Sequence, residues 1–243
     1  MFRQWFCFFL VAHALGDFYF QTERMAARKA QRWTHVALHG AVYLAVFAVC
    51  ALPFFSAPLA IAAAALAVAH FAADSGKYLL TRRPRGDAAV FAADQLVHIG
   101  CIAVASAVLA GIGAPLKLLT PAEGFLASLT PQPMMALAWA GLVLLAVKPA
   151  NVTIKRLTAK YRPADDAADV AKAGGFIGAL ERLLILLLMS VGQYAAIGLV
   201  LTAKSVARYN RIAESKQFAE YYLLGTLLSA LFAVGAYLLM AQA

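Results

Sequence analysis

Seven long apolar runs, at about 4–22, 33–54, 57–80, 88–112, 133–157, 176–204 and 217–241, alternate with shorter polar stretches along the chain. Most reach the roughly 20 residues that carry a helix across about 30 Å of hydrocarbon at 1.5 Å per residue. Backbone polar groups in lipid must be paired within each segment, so the runs predict helices. The expected fold class is all-α, a polytopic transmembrane helix bundle of about seven spans. "PFFSAP" makes a tight turn after the second run and "RRPRGD" divides the third from the fourth, while Pro115, Pro121, Pro131 and Pro133 punctuate 113–133. This predicts one integral membrane domain: a four-helix N-terminal half over 1–112, an external loop over 113–132 and C-terminal helices over 133–243. The opening "MFRQWFCFFLVAHALGD" carries an A-x-A-like "AHA", as a secretory leader would; its apolar region is short, and it reads as a retained first helix.

Composition places the chain outside ordinary soluble domains, with 63% hydrophobic and 14% charged residues and a mean hydropathy of +0.74. The net charge of +9 does not point to nucleic acid, because the basic residues sit between apolar runs and no nucleic-acid-binding motif accompanies them. It fits the positive-inside rule and anionic headgroups, which makes membrane lipids the expected partners. Lysines and arginines crowd the 22–33, 77–87 and 155–175 loops, whereas "PFFSAP" has none and 113–132 has only Lys117. That alternation predicts an N-terminus outside.

The sixth run is the exception. A single crossing would leave Lys204, Arg208, Arg211 and Lys216 outside. A re-entrant helical hairpin at 178–204, breaking near "SVGQ", would return them inside. Gly192 and Gln193 are weak breakers compared with proline, so one long tilted helix is the simpler expectation. Lys148 with Pro149 predicts a kinked inner end to the fifth helix. Cys7, Cys50 and Cys101 lie in apolar runs without CxxC spacing and read as packing residues.

Orientation changes how the polar residues inside the spans are read. His13 and Asp17 lie near the inner end of the first helix, His35 and His39 near the inner start of the second, His70 and Asp74 near the inner end of the third, and Asp94 and His98 near the inner start of the fourth. Each pair is spaced i, i+4, on one helix face one turn apart. Ionisable groups at membrane depth usually face a bundle interior, where they pair or serve function. His13, His39, His70, His98, Asp17, Asp74 and Asp94 are therefore candidate ligands of a divalent transition metal, zinc before iron or haem. Asp17, Asp74 and Asp94 are also the candidate catalytic bases. Gln21 and Gln95 are candidate supporting donors. His35, beside Trp33, and Lys77 also read as interfacial residues, Lys77 snorkelling outward or neutralising Asp74. Glu181 and Arg182 reach the same depth and read as an end cap with a snorkelling arginine.

The stretches "HALGDFYFQ", "HFAADSGKYLL", "DQLVH", "GALERLLILLLMSVGQYAAIGLVLTAKSVARY" and "AEYYLLGTLLS" together resemble an uncharacterised family of bacterial inner-membrane proteins, catalogued as a domain of unknown function. The resemblance implies a bacterial inner (cytoplasmic) membrane location and brings no activity. In layout alone the chain is similar to membrane-bound metal-dependent hydrolases and to the seven-helix adiponectin-receptor and alkaline-ceramidase group. It lacks that group's C-terminal HxxxH, since its histidines all precede residue 99.

The function expected from the cluster is an intramembrane metal-dependent hydrolase acting on a lipid or amphiphile at the cytoplasmic leaflet, one carboxylate serving as general base. Seven candidate ligands exceed the three of a mononuclear catalytic zinc, so a dinuclear site or an orienting role for some carboxylates is expected. The alternatives are a divalent-cation or proton-coupled transporter, a redox protein, and a non-catalytic membrane protein whose polar cluster fixes packing.

Overall fold

A computed structural model describes residues 1–29, 32–80, 88–163 and 168–241, and no strand occurs among them. The basic stretch 81–87, with Arg82, Arg83 and Arg85, lies outside the described residues, as does the side chain of Lys172. Among the described residues, six helices are long and apolar enough to cross a membrane. The chain divides into two compact units, Met1–Gly141 and Leu142–Gln242.

In the first unit, α1 (Phe2–Ala14) continues into one π-helical turn over Leu15–Tyr19, closed by Phe20 N–H donating to the Leu15 carbonyl at 2.9 Å. The span expected at 4–22 therefore stops near Phe20. Thr22 then caps a separate short helix, α2 (Glu23–Arg28), its Oγ1 accepting from Met25 N–H at 3.1 Å. Three long helices follow: α3 (Trp33–Ala51), α4 (Ala57–Leu80) and α5 (Ala88–Gly111). The stretch 113–132, expected as a loop, carries a further helix, α6 (Thr120–Leu129). Pro121 stands in its first turn, where a missing N–H costs nothing. α7 (Pro133–Thr158) contains the boundary between the units.

Trp5, Phe9, Phe47, Leu59, Leu66, Ile102 and Leu109 form the apolar core shared by α1, α3, α4 and α5. Its spine is a stacked aromatic column, Trp5 on Phe9, Phe9 on Phe47 and Phe47 on Tyr43. Trp5 Nε1 donates to the Ala114 carbonyl at 2.9 Å, and Leu119 N–H to that of Pro53 at 2.8 Å, which pins the 113–119 segment to this end of the bundle. Two glycines let helices close up on the other side of the column. A Cβ on Gly16 would lie 2.7 Å from Tyr43 Cδ2, and one on Gly40 would lie 2.8 Å from Phe71 Cδ2.

The second unit corrects the reading of 176–204 as one tilted helix. α8 (Ala168–Ser190) ends at a turn where Gly192 adopts φ +71°, and α9 (Tyr194–Val206) folds back along it. Glycine takes that left-handed conformation without steric cost, so it reverses the chain without a proline. Lys204 of α9 pairs with Glu181 of α8, which sets the two helices antiparallel. With 13 residues α9 is only about 20 Å long. The short α10 (Tyr209–Glu214) leads into α11 (Lys216–Met240), capped by Ser215 Oγ accepting from Phe218 N–H at 3.2 Å. The hairpin returns Lys204, Arg208, Arg211 and Lys216 to the end of α8 from which that helix starts, removing the exception to the charge alternation.

α7 continues through Pro149, whose missing N–H deprives the Leu145 carbonyl of its helical donor. Arg182 of α8 binds the neighbouring backbone, Nε donating to the Ala146 carbonyl and one Nη to that of Val147 and to Asn151 Oδ1. Its other Nη donates to Ser229 Oγ of α11 at 3.1 Å. Glu181 and Arg182 are thus buried links from α8 to α7, α9 and α11, where an interfacial cap and snorkel had been expected.

Candidate metal centre

Each of the four i, i+4 pairs contributes at least one side chain to a cluster in the first unit, where His13, His39, His70, His98 and Asp74 are all buried. Asp17 stands in the π-turn, a distortion of the helix that recurs at functional sites and re-aims the side chains after it. Its carboxylate is 9% exposed. Asp17 Oδ1 lies 3.1 Å from His39 Nε2 and 3.9 Å from His70 Nε2, and the two Nε2 atoms are 3.1 Å apart. Asp74 Oδ2 stands 3.7 Å from the first and 3.5 Å from the second. On the other side, Gln95 Nε2 donates to Asp17 Oδ2 at 3.1 Å, and its Oε1 lies 3.4 Å from His13 Nε2.

Among the described residues, two sets of three bring potential ligand atoms within 4.8 Å of one another: Asp17, His39 and His70, and His13, Asp17 and His98. Ligands at about 2.0–2.1 Å from a tetrahedral ion lie about 3.3 Å from each other, close to the spacing of the first set. One proton between three such atoms satisfies only one contact, whereas a cation satisfies all three lone pairs. Nδ1 of His39, Nδ1 of His70 and both ring nitrogens of His98 are buried with no hydrogen-bond partner among the described residues. Unpaired buried groups at this density call for a ligand or water.

Two carboxylates are already neutralised. Lys29, just past α2, contacts Asp74 and donates to Gln21 Oε1 at 2.8 Å. Lys77 contacts Asp94 at 2.8 Å. Asp94 therefore faces Lys77, outside both three-ligand sets, and Lys77 pairs with Asp94 where a snorkelling lysine, or one neutralising Asp74, had been expected. Among the described residues no lysine forms an ion pair with Asp17, whose contacts are to His39 and Gln95. Half-buried His35 lies apart from the cluster, its Nδ1 3.5 Å from Thr34 Oγ1.

Two contributors escaped the sequence reading. Tyr43 stacks on His70 with centroids 3.8 Å apart and its hydroxyl meets His13 Nδ1 at 3.1 Å; its position four residues after His39 was the available signal. Lys29 was hidden among the loop cations, whose number the positive-inside rule already explained.

Taken together, these helices define an all-helical, membrane-type bundle around a buried His/Asp cluster. Residues 5–125, which include the whole cluster, match the family model "Protein of unknown function (DUF3307)" and form a domain of that family. No curated protein and no solved structure matches the chain.

Proposed function

We propose that the protein is an intramembrane metal-dependent hydrolase, with Asp17, His39 and His70 holding a divalent transition ion, zinc first among the candidates, and a lipid or other amphiphile as substrate at the cytoplasmic leaflet of a bacterial inner membrane. The observation that carries this is the convergence of Asp17 Oδ1 and two Nε2 atoms at 3.1–3.9 Å in a buried site. Three protein ligands leave a tetrahedral ion one open position, the pattern of catalytic zinc. The ion's chemical contribution is to acidify water and polarise an ester or amide. Asp74 stands beside the same atoms as the proton acceptor, and Lys29 holds its carboxylate in the metal-free site.

Transport by the same residues is disfavoured by the column Tyr43–Phe47–Phe9–Trp5, which fills the bundle on one side of the site with aromatic side chains. A purely structural role is disfavoured by the unpaired ring nitrogens, since a cluster built to cross-link helices would pair them.

Elemental analysis of chelator-free, detergent-purified protein tests the reading. A bound transition ion lost in His70→Ala, together with release of acyl chain or headgroup from lipid vesicles that Asp17→Asn abolishes, is expected. Metal-free protein that takes up no added zinc would sink it.

A further inference from the structure

Asp17 is common to both three-ligand sets, and its two oxygens face different neighbours. Oδ1 is turned to His39 and His70, while Oδ2 is turned to Gln95, whose far oxygen contacts His13. His98 lies between the groups, its ring 4.3 Å from that of His70 and 5.3 Å from that of His13. Neither ring nitrogen of this buried histidine has a hydrogen-bond partner among the described residues. His13 is prepared in the opposite sense: Tyr43 engages Nδ1, which leaves Nε2 directed into the cluster. Holding one imidazole nitrogen so that the other is free is how histidine ligands are oriented.

We propose that His13, His98 and Asp17 form a second metal position, so that Asp17 bridges two divalent transition ions through its two oxygens. The inference rests on the metal reading of Asp17, His39 and His70 and adds to it the number of ions and the use of His13 and His98. A shared carboxylate holds ions at the separation of about 3.5–4 Å found in two-metal hydrolytic sites. Gln95 lies between Asp17 Oδ2 and His13 Nε2, and the second ion displaces its amide from that contact.

Charge supplies a further constraint. Two divalent ions bring four positive charges to a pocket where, among the described residues, Asp74 and Asp94 are each paired with a lysine and Asp17 is not. Each position has a lysine-held carboxylate one turn from one of its histidines: Asp74 after His70 on α4, held by Lys29, and Asp94 before His98 on α5, held by Lys77. Loading therefore draws Asp74 from Lys29 and Asp94 from Lys77. The lysines hold the metal-free site neutral and compete with the ions.

The test is Co2+ titration of the stripped full-length protein in detergent micelles, read by metal content per chain and by electron paramagnetic resonance. Two Co2+ per chain with spin coupling is expected. His13→Ala and His98→Ala each reduce this to one uncoupled ion, as do His39→Ala and His70→Ala, while Lys77→Met tightens the second ion about tenfold. One ion per chain, indifferent to His98→Ala, overturns the bridged pair and leaves the single-ion reading standing. No bound ion overturns both. Two ions indifferent to His13→Ala and His98→Ala overturn the assignment. The wild-type stoichiometry needs no variant to fold.

Discussion

The imidazole of His70 lies flat against the phenol ring of Tyr43, with centroids 3.8 Å apart and planes 5° from parallel, while the Tyr43 hydroxyl reaches His13 Nδ1 at 3.1 Å. One side chain thus positions a histidine from each proposed metal set. Tyr43→Phe keeps the stack and strands His13 Nδ1, for a loss of about 1–3 kcal/mol in stability. Metal uptake should fall to one ion per chain, the His39–His70 position being spared. Tyr43→Leu removes both supports and should weaken both ions. Equal metal content in all three proteins would show that Tyr43 positions neither histidine.

The same tyrosine limits how α1 is built. Gly16, in the π-turn that continues α1, packs against the Tyr43 ring, where a Cβ would lie 2.7 Å from Cδ2. Gly16→Ala must push the ring aside, at the cost of about 1–3 kcal/mol typical of overpacking. The displaced ring takes the His70 stack with it, so metal affinity should fall along with the unfolding temperature in detergent. Gly100→Ala, with nothing within 4 Å of the added Cβ, is the control and should leave both unchanged. If the two variants behave alike, the close approach has no consequence.

Lys29 and Asp74 form an ion pair that is largely withdrawn from solvent, with side chains 15% and 3% exposed. Removing one partner of such a pair strands the other and costs about 3–5 kcal/mol. Lys29→Met should therefore destabilise metal-free protein strongly. In zinc the ion takes over the lysine's charge, and Lys29→Met should bind it more tightly than wild type. The sign of the effect should reverse between chelator and zinc in thermal unfolding. Destabilisation of equal size in both conditions would mean that Asp74 never meets the ion.

The cluster was legible in the sequence because i, i+4 spacing and loop charge each fix one coordinate: spacing gives the helix face, and charge alternation gives the depth. His13, Asp17, His39, His70 and His98 could be grouped from those two facts. The ion pair of Lys29 and the Asp94 partner of Lys77 could not, because loop cations follow from topology alone whether or not they turn inward. The π-turn at Leu15–Tyr19 leaves no mark that separates it from an ordinary helix end. In the second unit the cations at 204–216 argue for a reversal, but the apolar run is almost unbroken and its turn needs only Gly192. Burial of Glu181 and Arg182 depends on Asn151, Ser229 and Lys204, each far away along the chain, which local pattern does not report.

The reversal at Gly192 is itself open to test. Since α9 returns along α8, residues beside Lys160 and Ser215 face the same side of the membrane, and a single tilted helix would put them on opposite sides. In protein with Cys7, Cys50 and Cys101 replaced by alanine, Lys160→Cys and Ser215→Cys should both resist an impermeant maleimide applied outside intact cells and react once the membrane is opened. Ser128→Cys, in the segment between α5 and α7, should react from outside. Gly192→Ala forces φ +71° on a residue with a Cβ, costing roughly 1–2 kcal/mol. Lys204→Met strands Glu181 on the hairpin's inner face. Together the two changes should loosen α9 from α8 and raise protease cleavage within 207–215 in inside-out vesicles. Reaction of Ser215→Cys from outside in the otherwise unchanged chain would restore the single tilted helix and end the hairpin.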